Sequence, residues 1–452
     1  MSEKENLSLA LSGKRPLRIA FTVYRGNPTS GGQGVYTRYL TREISALGHS
    51  VEVFSGQPYP EVEGEVGLTR VPSLDLYRED DPFRIPRLNE FRDLVDLKEF
   101  AIMSTGGFPE PRTFGMRVYS AIKSSGEPYD LLHDNQSLSW SILRLQNEGM
   151  PTIASIHHPI TIDKKLGLEH AEGIKERFGV ARFYGFVRMQ TKVAKRIEHL
   201  LTVSQTSAID ISKEMGVALS RLSVVPIGVD PTTFRPIEGV EREPGLVVTT
   251  ASADVPLKGL SYLVEAVRML KANGDRDLRL AIIGQPKADS PVQRSVERLG
   301  LKDSIQFLGR VSQQEMVALY SRASLAIVPS LYEGFSLPAI EIMACGVPLI
   351  VTDGGALPEV VGGNGGAARI VRAGDSVSLA REIEAVLCDG EAAQKMGNRA
   401  ILRARSKFSW RSAALATVDK YLEMLEKVHS GGSGEAEVDG FEGDGLLDEV
   451  AP

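Results

Sequence analysis

Cysteine is scarce in this sequence, which contains only Cys345 and Cys388 among 452 residues. Two cysteines cannot build a disulfide framework or a cysteine-rich metal cluster. We therefore expect both to be buried, reduced thiols within predicted helices, as is usual for free cysteine in a reducing, cytoplasmic compartment.

Long apolar runs are absent as well. No stretch reaches the roughly 18 consecutive apolar residues that a membrane-spanning helix needs. Residues 1–14 lack the apolar core and the cleavage site of a signal peptide. The sequence therefore predicts a cytoplasmic protein, for which any contact with a membrane would be peripheral, at the inner face.

An excess of positive charge is also missing, because 52 lysines and arginines are set against 58 aspartates and glutamates, for a net charge of −6. This balance argues against nucleic acid as a partner. With 42% hydrophobic and 24% charged residues, the composition is that of an ordinary globular protein. The length is sufficient for two core-forming domains.

The most informative stretch that is present runs from residue 321 to 348. An apolar run at 321–329 ends in proline, as expected of a buried strand, and a loop at 333–336 leads into a predicted helix at 338–345. The unpaired N–H groups of residues 335–337 would point at one spot, where the helix dipole also favours negative charge. A phosphate group is the expected ligand.

Two acids accompany this anion site, Glu333 and Glu341, which lie eight residues apart. Carboxylates do not bind phosphate, but they accept hydrogen bonds from hydroxyl groups, and one carboxylate can hold both hydroxyls of a cis diol. A phosphate beside two hydroxyl-bearing rings describes a sugar nucleotide, which we expect to bind here.

A glycine-rich loop lies near the start of the chain. It follows a predicted strand at 17–24 and precedes a helix at 35–47 and a strand at 50–54, an arrangement that opens a doubly wound α/β domain. The loop lacks the G-x-G-x-x-G pattern and no acid ends the second strand, so a dinucleotide site is not favoured. A tight turn explains one glycine but not three so close together. These three glycines are Gly31, Gly32 and Gly34.

The motif at 333–348, E-G-F-x-L-P-x-x-E-x-M-A-C-G-x-P, resembles the E-x7-E signature of the family 4 retaining glycosyltransferases. The similarity extends over about residues 17–428. It implies the GT-B fold, in which two Rossmann-like domains with doubly wound parallel sheets face each other across a cleft, and a C-terminal helix crosses back to the N-terminal domain.

The resemblance also implies where the domains begin and end. Residues 17–236 would form the N-terminal, acceptor-side domain, against which residues 411–428 pack back. Residues 237–410 would form the C-terminal domain that binds the nucleotide sugar. We expect disordered tails at residues 1–16 and, rich in acid and glycine, at 429–452.

The same resemblance implies roles for individual residues. His157 falls where the family has its active-site histidine and would hydrogen-bond the donor sugar near the reacting carbon. Glu333 would orient hydroxyls of that sugar, Lys258 would neutralise the leaving diphosphate, and Glu341 would hold the ribose diol. The other implied donor-binding residues are Gly31, Gly32, Gly34, Gly284, Arg310, Val311, Gly334, Phe335, Ser336 and Leu337.

The sequence departs from the family pattern at Ala253, where an arginine beside the diphosphate is usual. Either another base such as Arg25 or Arg310 replaces it, or backbone N–H groups hold the diphosphate. A D-x-D pattern occurs at residues 275–277, between a predicted helix and a strand and away from the cleft, so it is interpreted as a turn. We expect no essential metal and no other cofactor.

Together these patterns predict a metal-independent, retaining glycosyltransferase that uses a nucleotide-diphosphate sugar, most simply a UDP-glucose-like donor. The acceptor would be a carbohydrate, a lipid-linked molecule or a small molecule. Two alternatives remain open, a GT-B sugar-nucleotide epimerase and a non-catalytic protein that binds a sugar nucleotide.

Two segments of the acceptor-side domain are unusual. Residues 57–126 are rich in turn-forming and aromatic residues and are interpreted as a long loop excursion, of the kind that carries specificity. Residues 164–198 form a long helical region in which bases at 177–196 alternate with aromatic residues. That region is either a core-facing helix with a solvated basic face or a surface that meets anionic lipid or an anionic acceptor.

Overall fold

The structure of the protein is a computed structural model. The described residues are 15–28, 32–78, 81–171, 173–250, 255–274, 277–284 and 290–431. Several residues discussed above lie outside these ranges. They are Gly31, Ala253, Asp275, Arg276 and the tails 1–14 and 432–452.

The N-terminal half contains a seven-stranded parallel sheet. Its strands lie in the order β3-β2-β1-β4-β5-β6-β7. The first strand pairs with β2 on one side and with β4 on the other, so the strand order reverses between β1 and β4. The strands are β1 Arg18–Val23, β2 Ser50–Ser55, β3 Gly67–Arg70, β4 Leu131–Asn135, β5 Thr152–Ser155, β6 His199–Thr202 and β7 Leu222–Val224.

Buried apolar side chains extend along both faces of this sheet, as in parallel sheets that are covered by helices on each side. The helices are α1 Gln33–Ala46, α2 Leu94–Ser104, α3 Glu110–Lys123, α4 Trp140–Asn147, α5 Ile160–His170, α6 Gly173–Phe183, α7 Val187–Ala194 and α8 Gln205–Met215.

The C-terminal half repeats this architecture with a six-stranded parallel sheet. Its strands lie in the order β10-β9-β8-β11-β12-β13, and the order reverses between β8 and β11. The strands are β8 Glu243–Thr250, β9 Arg279–Ile283, β10 Ile305–Gly309, β11 Ala323–Val328, β12 Leu349–Thr352 and β13 Arg369–Val371. The helices are α9 Leu260–Ala272, α10 Pro291–Arg298, α11 Gln313–Arg322, α12 Leu337–Ala344, α13 Leu357–Val361, α14 Ser376–Cys388, α15 Gly390–Lys407 and α16 Trp410–Gly431.

The last helix, α16, leaves the C-terminal half and packs on the N-terminal one, as expected. The indole ring of Trp410 stacks on the ring of Tyr39 in α1, with the ring centroids 5.5 Å apart. Further along, the buried hydroxyl of Tyr421 forms a 2.5 Å hydrogen bond with Nδ1 of His133, at the centre of the first sheet. The predicted pair of doubly wound α/β domains with a returning helix is therefore confirmed.

Two expectations about local structure were wrong, and a third needs refinement. Residues 57–126 are not one loop, since they contain β3, α2 and α3. The region at 164–198 is largely helical, as expected, but it is divided into α5, α6, a 3-10 turn and α7. Cys345 is buried as expected, but Cys388 is exposed on the last turn of α14.

Candidate active site

The loop that leads into α12 lies at the carboxyl end of β11, next to the strand-order reversal of the second sheet. Ser336 caps the helix: its hydroxyl oxygen accepts a hydrogen bond from the N–H of Ala339, and its φ is +91°. Such a φ is uncommon for a residue with a side chain, so the surrounding contacts must enforce it. The conformation of the loop therefore fixes the direction in which the first N–H groups of α12 point.

Glu333 and Lys258, which the sequence analysis implicated separately, form a direct ion pair in the structure. The Nζ of Lys258 lies 2.7 Å from Oε1 of Glu333, and the hydroxyl of Ser330 donates to the same carboxylate oxygen at 2.7 Å. Lys258 reaches this position from a 3-10 turn at Pro256–Lys258 just before α9. One cation and one carboxylate are therefore held together beside the start of α12.

Glu341 lies on α12, one turn after the loop. Burial raises the pKa of its carboxyl from the ordinary value of 4.5 to about 7. Part of the residue nevertheless remains exposed. Among the described residues, no side chain or backbone group hydrogen-bonds this carboxyl. A desolvated carboxyl without a protein partner is suited to receive hydroxyl groups of a ligand.

His157 follows the carboxyl end of β5. Its Nε2 lies 2.7 Å from Oδ1 of Asn135, its backbone N–H donates to Oε1 of Gln136 at 2.9 Å, and its ring meets the ring of Tyr36 edge-on with centroids 4.6 Å apart. Burial, and secondarily the neighbouring His158, lower the pKa of His157 to about 3. The imidazole is therefore neutral at physiological pH.

The adjacent His158 has the opposite character. Its Nε2 lies 2.8 Å from the carboxylate of Asp163 on α5. Burial lowers the pKa of His158, but the charge and the hydrogen bond of Asp163 more than offset this, so the pKa is raised overall. The pKa values of these two consecutive histidines are thus shifted in opposite directions, which the sequence alone did not indicate.

The glycine-rich loop at the start of α1 faces the loop before α12. A Cβ on Gly32 would lie 3.9 Å from Cδ1 of Leu337, and a Cβ on Gly34 would clash with the carbonyl oxygen of Asn27 at 2.0 Å. A glycine is therefore required at position 34 for the loop to fold back on itself. Gly31 lies outside the described residues.

The other predicted donor-binding residues lie near the ends of β9 and β10. The N–H of Gly284 donates to the carbonyl oxygen of Gly309 at 3.0 Å, while Arg310 is exposed and Val311 packs against the core. Arg25, considered as a replacement for the arginine missing at position 253, is paired with the buried Glu110 at 2.7 and 3.0 Å. Arg25, like Lys258, is therefore already paired with a carboxylate of the protein.

The two halves meet at this site through contacts that the sequence analysis did not foresee. The carbonyl oxygen of Gly334 accepts hydrogen bonds from the hydroxyls of Ser204 at 2.7 Å and Ser207 at 2.9 Å. A Cβ on Gly334 would lie 2.4 Å from the carbonyl oxygen of His157. The glycine thus brings Glu333 and the histidine strand of the other half together.

A second contact lies beside the first. The carboxylate of Glu359 accepts hydrogen bonds from the N–H groups of Gln205 and Thr206, at 2.9 and 3.0 Å, and from the hydroxyl of Thr206 at 2.9 Å. A side chain of the C-terminal half thereby pairs with the first two N–H groups of α8 in the N-terminal half, while Ser204 accepts from the third, that of Ser207. Nothing in the local sequence signals this partner, because the two elements are separated by more than 150 residues.

Chemically, the site offers hydrogen-bond acceptors for hydroxyl groups, backbone N–H groups and one lysine for an anion, and a neutral imidazole from the opposite half. Within the described residues, no group of three or more histidine, cysteine, aspartate or glutamate residues could hold a metal ion. In the same part of the chain, no helix is both long and apolar enough to cross a bilayer.

Comparison with known families gives two matches that together span most of the chain. Residues 30–233 match the model described as Glycosyltransferase Family 4, and residues 233–403 match the model described as Glycosyl transferases group 1.

Similar proteins include the MMP alpha-(1->4)-mannosyltransferase of Mycolicibacterium hassiacum, which is 44% identical over 91% of this chain and 99% of its own length. The D-inositol 3-phosphate glycosyltransferase 2 of Catenulispora acidiphila is 27% identical over 90% of this chain and 93% of its own length.

Solved structures share the fold. Sucrose-phosphate synthase from Thermosynechococcus elongatus has a TM-score of 0.70 at 20% identity, covering 91% of this chain and all of that one. Anabaena HepE in complex with UDP-glucose has a TM-score of 0.64 at 16% identity, covering 90% of this chain and all of that one.

Proposed function

The chain belongs to glycosyltransferase family 4, and from this premise we propose that it transfers a mannosyl residue from a nucleotide-diphosphate donor to a hydroxyl group of a carbohydrate acceptor, with retention at the anomeric carbon. Mannose replaces the glucose that the sequence analysis favoured, because the relative at 44% identity is named a mannosyltransferase. The neighbour that holds UDP-glucose is only 16% identical and supports no choice of sugar.

The observation that carries this proposal is the carboxyl of Glu341, one turn into α12, which no other described residue hydrogen-bonds. In the proposed complex, Glu341 accepts hydrogen bonds from the ribose hydroxyls, and these bonds offset the cost of its desolvation. The diphosphate then lies at the N–H groups of residues 335–337, where the helix dipole favours it.

Lys258 and Glu333 act as a unit in this proposal. As the bond between the sugar and the diphosphate breaks, negative charge grows on the leaving phosphate, and a fixed ammonium and fixed N–H groups stabilise it. Glu333, held in place by Lys258 and Ser330, orients hydroxyls of the donor sugar. The neutral His157 reaches the sugar from the opposite half.

Retention follows if the acceptor oxygen attacks the face from which the diphosphate departs. The anomeric carbon then passes through an oxocarbenium-like transition state, and the proton of the acceptor hydroxyl can pass to the departing phosphate oxygen on that face. No side chain is required as a general base in this step.

The proposal is tested by incubating the protein with GDP-mannose, UDP-mannose, GDP-glucose and UDP-glucose, with and without manno-oligosaccharide acceptors. We expect release of nucleoside diphosphate that depends on both a mannosyl donor and an acceptor, with an α-linked product by NMR. Interconversion of donor sugars without transfer would identify an epimerase instead. Donor binding without turnover for any acceptor would identify a binding protein.

We also propose that the basic surface around α7 meets an anionic partner. Its hydrophobic side is buried in the N-terminal half, while Arg188, Lys195 and Arg196 are exposed. Attraction of each base to an anionic surface is worth roughly 1 kcal/mol and fades with salt. We expect co-sedimentation with phosphatidylserine vesicles at low salt and release at high salt. Equal co-sedimentation with neutral vesicles, or none with either kind, would contradict this proposal. The basic face would then be merely solvated, and the acceptor would be a soluble molecule.

A further inference from the structure

Asn135 ends strand β4 and lies fully buried between helix α1, which follows the glycine-rich loop, and His157. Its Nδ2 lies 3.2 Å from the hydroxyl oxygen of Thr37 and 3.4 Å from the carbonyl oxygen of Gln33. Its Oδ1 lies 2.7 Å from Nε2 of His157. The amide therefore connects α1 to the histidine.

The orientation of this amide is set by its partners. The carbonyl oxygen of Gln33 can only accept hydrogen bonds, and the hydroxyl of Thr37 already donates to it at 2.8 Å. The oxygen of Thr37 must therefore accept its own hydrogen bond from Asn135. Both neighbours require an N–H on this side, so the carbonyl oxygen of the Asn135 amide must face His157.

An amide oxygen can only accept, so His157 must donate from Nε2. A neutral imidazole carries one proton, and the lone pair is then at Nδ1. Among the described residues, the titratable groups that interact with the ring of His157 are Tyr36, whose ring meets it edge-on, and the neighbouring His133 and His158. Among the described residues, none hydrogen-bonds Nδ1 of His157.

We propose that Asn135 is a positioning residue for the sugar transfer: it fixes His157 as the tautomer protonated at Nε2, so that Nδ1 accepts a hydrogen bond from a hydroxyl of the donor sugar. His157 thus acts as a neutral acceptor and not as a cation that faces the developing positive charge of the sugar ring. This inference rests on the proposed function, because the donor sugar is its hydrogen-bond partner.

The tautomer can be measured without any activity. In the full-length protein labelled with 15N-histidine, long-range 15N–1H correlations distinguish protonated from unprotonated ring nitrogens, and a His157→Gln variant assigns the signals. We expect a protonated Nε2 and an unprotonated Nδ1 for His157 from pH 6 to 8. A protonated Nδ1, or an imidazolium in this range, would overturn the inference, whether or not the protein transfers sugar.

Substitutions then link the tautomer to turnover. In Asn135→Asp a carboxylate replaces the amide oxygen and favours the imidazolium, so the acid limb of the kcat/KM profile should move up by about 1–3 pH units. The imidazolium cannot accept at Nδ1, which is why activity falls on the acid side of that limb. Asn147→Asp, at the exposed end of α4, adds the same charge as a control and should leave the profile in place.

Thr37→Val provides a second variant that does not change the charge. Without the hydroxyl, the amide loses the stronger of its two orienting contacts, so we expect a mixture of tautomers by NMR and a fall in kcat of about ten- to a hundredfold, with donor KM less affected. An unchanged tautomer and an unchanged kcat in this variant would contradict the orientation argument.

If the wild-type tautomer is as expected but no donor supports transfer, the proposed function is wrong, whereas the assignment of the proton to Nε2 still holds.

Discussion

The strongest quantitative prediction concerns Glu341→Gln, which should stabilise the ligand-free protein at alkaline pH while it weakens donor binding. Burial raises the pKa of Glu341 from 4.5 to about 7. The native state therefore binds this proton more tightly than the unfolded state does. Its contribution to the free energy of unfolding is neutral below pH 4.5, becomes unfavourable as the pH rises from there, and reaches its full cost above pH 7.

The size of the effect follows from that shift. Each pKa unit corresponds to about 1.4 kcal/mol, so a shift of about 2.5 gives a ceiling of ~3.5 kcal/mol above pH 8. Glutamine has nearly the same shape and no charge to desolvate, although its amide still loses water on burial. We therefore expect Glu341→Gln to raise the free energy of unfolding by about 1–3 kcal/mol at pH 8.5 and by much less at pH 5.

Urea unfolding of both proteins at pH 5 and pH 8.5 measures this difference, with Glu384→Gln on the exposed face of α14 as the control for loss of one negative charge. Calorimetry with the donor nucleotide should show affinity weakened by about 1–3 kcal/mol in Glu341→Gln, because a charged hydrogen-bond acceptor is lost. A variant that is less stable than wild type at pH 8.5, or equally shifted at both pH values, would refute the desolvation argument. Unchanged nucleotide affinity would refute the ribose assignment.

Three further predictions concern the same cleft. Lys258→Met should lower kcat by roughly a hundred- to a thousandfold, because the leaving diphosphate loses its cation and Glu333 loses its partner; a near-normal kcat in a folded variant would assign the charge to another residue. Glu359→Ala should remove the acceptor for the N–H groups of Gln205 and Thr206, while Ser204 still caps α8. The lost contact between the halves should cost about 1 kcal/mol, seen as a larger radius of gyration by X-ray scattering and a raised donor KM; identical scattering and KM would show that this contact does not hold the halves together. Activity should persist in EDTA, whereas a strict requirement for Mg²⁺ or Mn²⁺ would mean that a metal neutralises the diphosphate.

The sequence allowed the two parallel sheets and the returning helix to be predicted, because buried strands and amphipathic helices have strong local patterns. It misled at residues 106–112, where glycine and proline indicated turns. Helix α3 instead begins at Glu110 and accommodates Pro111 in its first turn, a position at which proline is tolerated. Proline can therefore mark either a turn or the first turn of a helix, and the local sequence does not distinguish the two.

The candidate site, too, was only partly predictable from the sequence. The acids and the lysine could be singled out from spacing and resemblance, but not the direct contact between Lys258 and Glu333, which are 75 residues apart. The capping of α8 by Glu359 and the orientation of Asn135 depend on three-dimensional packing between elements that are distant in the chain. Long-range hydrogen bonds of this kind have no local sequence pattern from which they could be predicted.

The return of α16 to the N-terminal half affects how the protein is made. Strands β1 to β7 have left the ribosome long before Trp410 and Tyr421 are synthesised, and the intervening 186 residues, 225–410, take roughly 10–40 s at typical translation rates. During that interval Tyr39 and His133 lack their aromatic partners from α16. The first half to be translated is therefore the last to be completed, and the surface that α16 later covers stays exposed in the nascent chain.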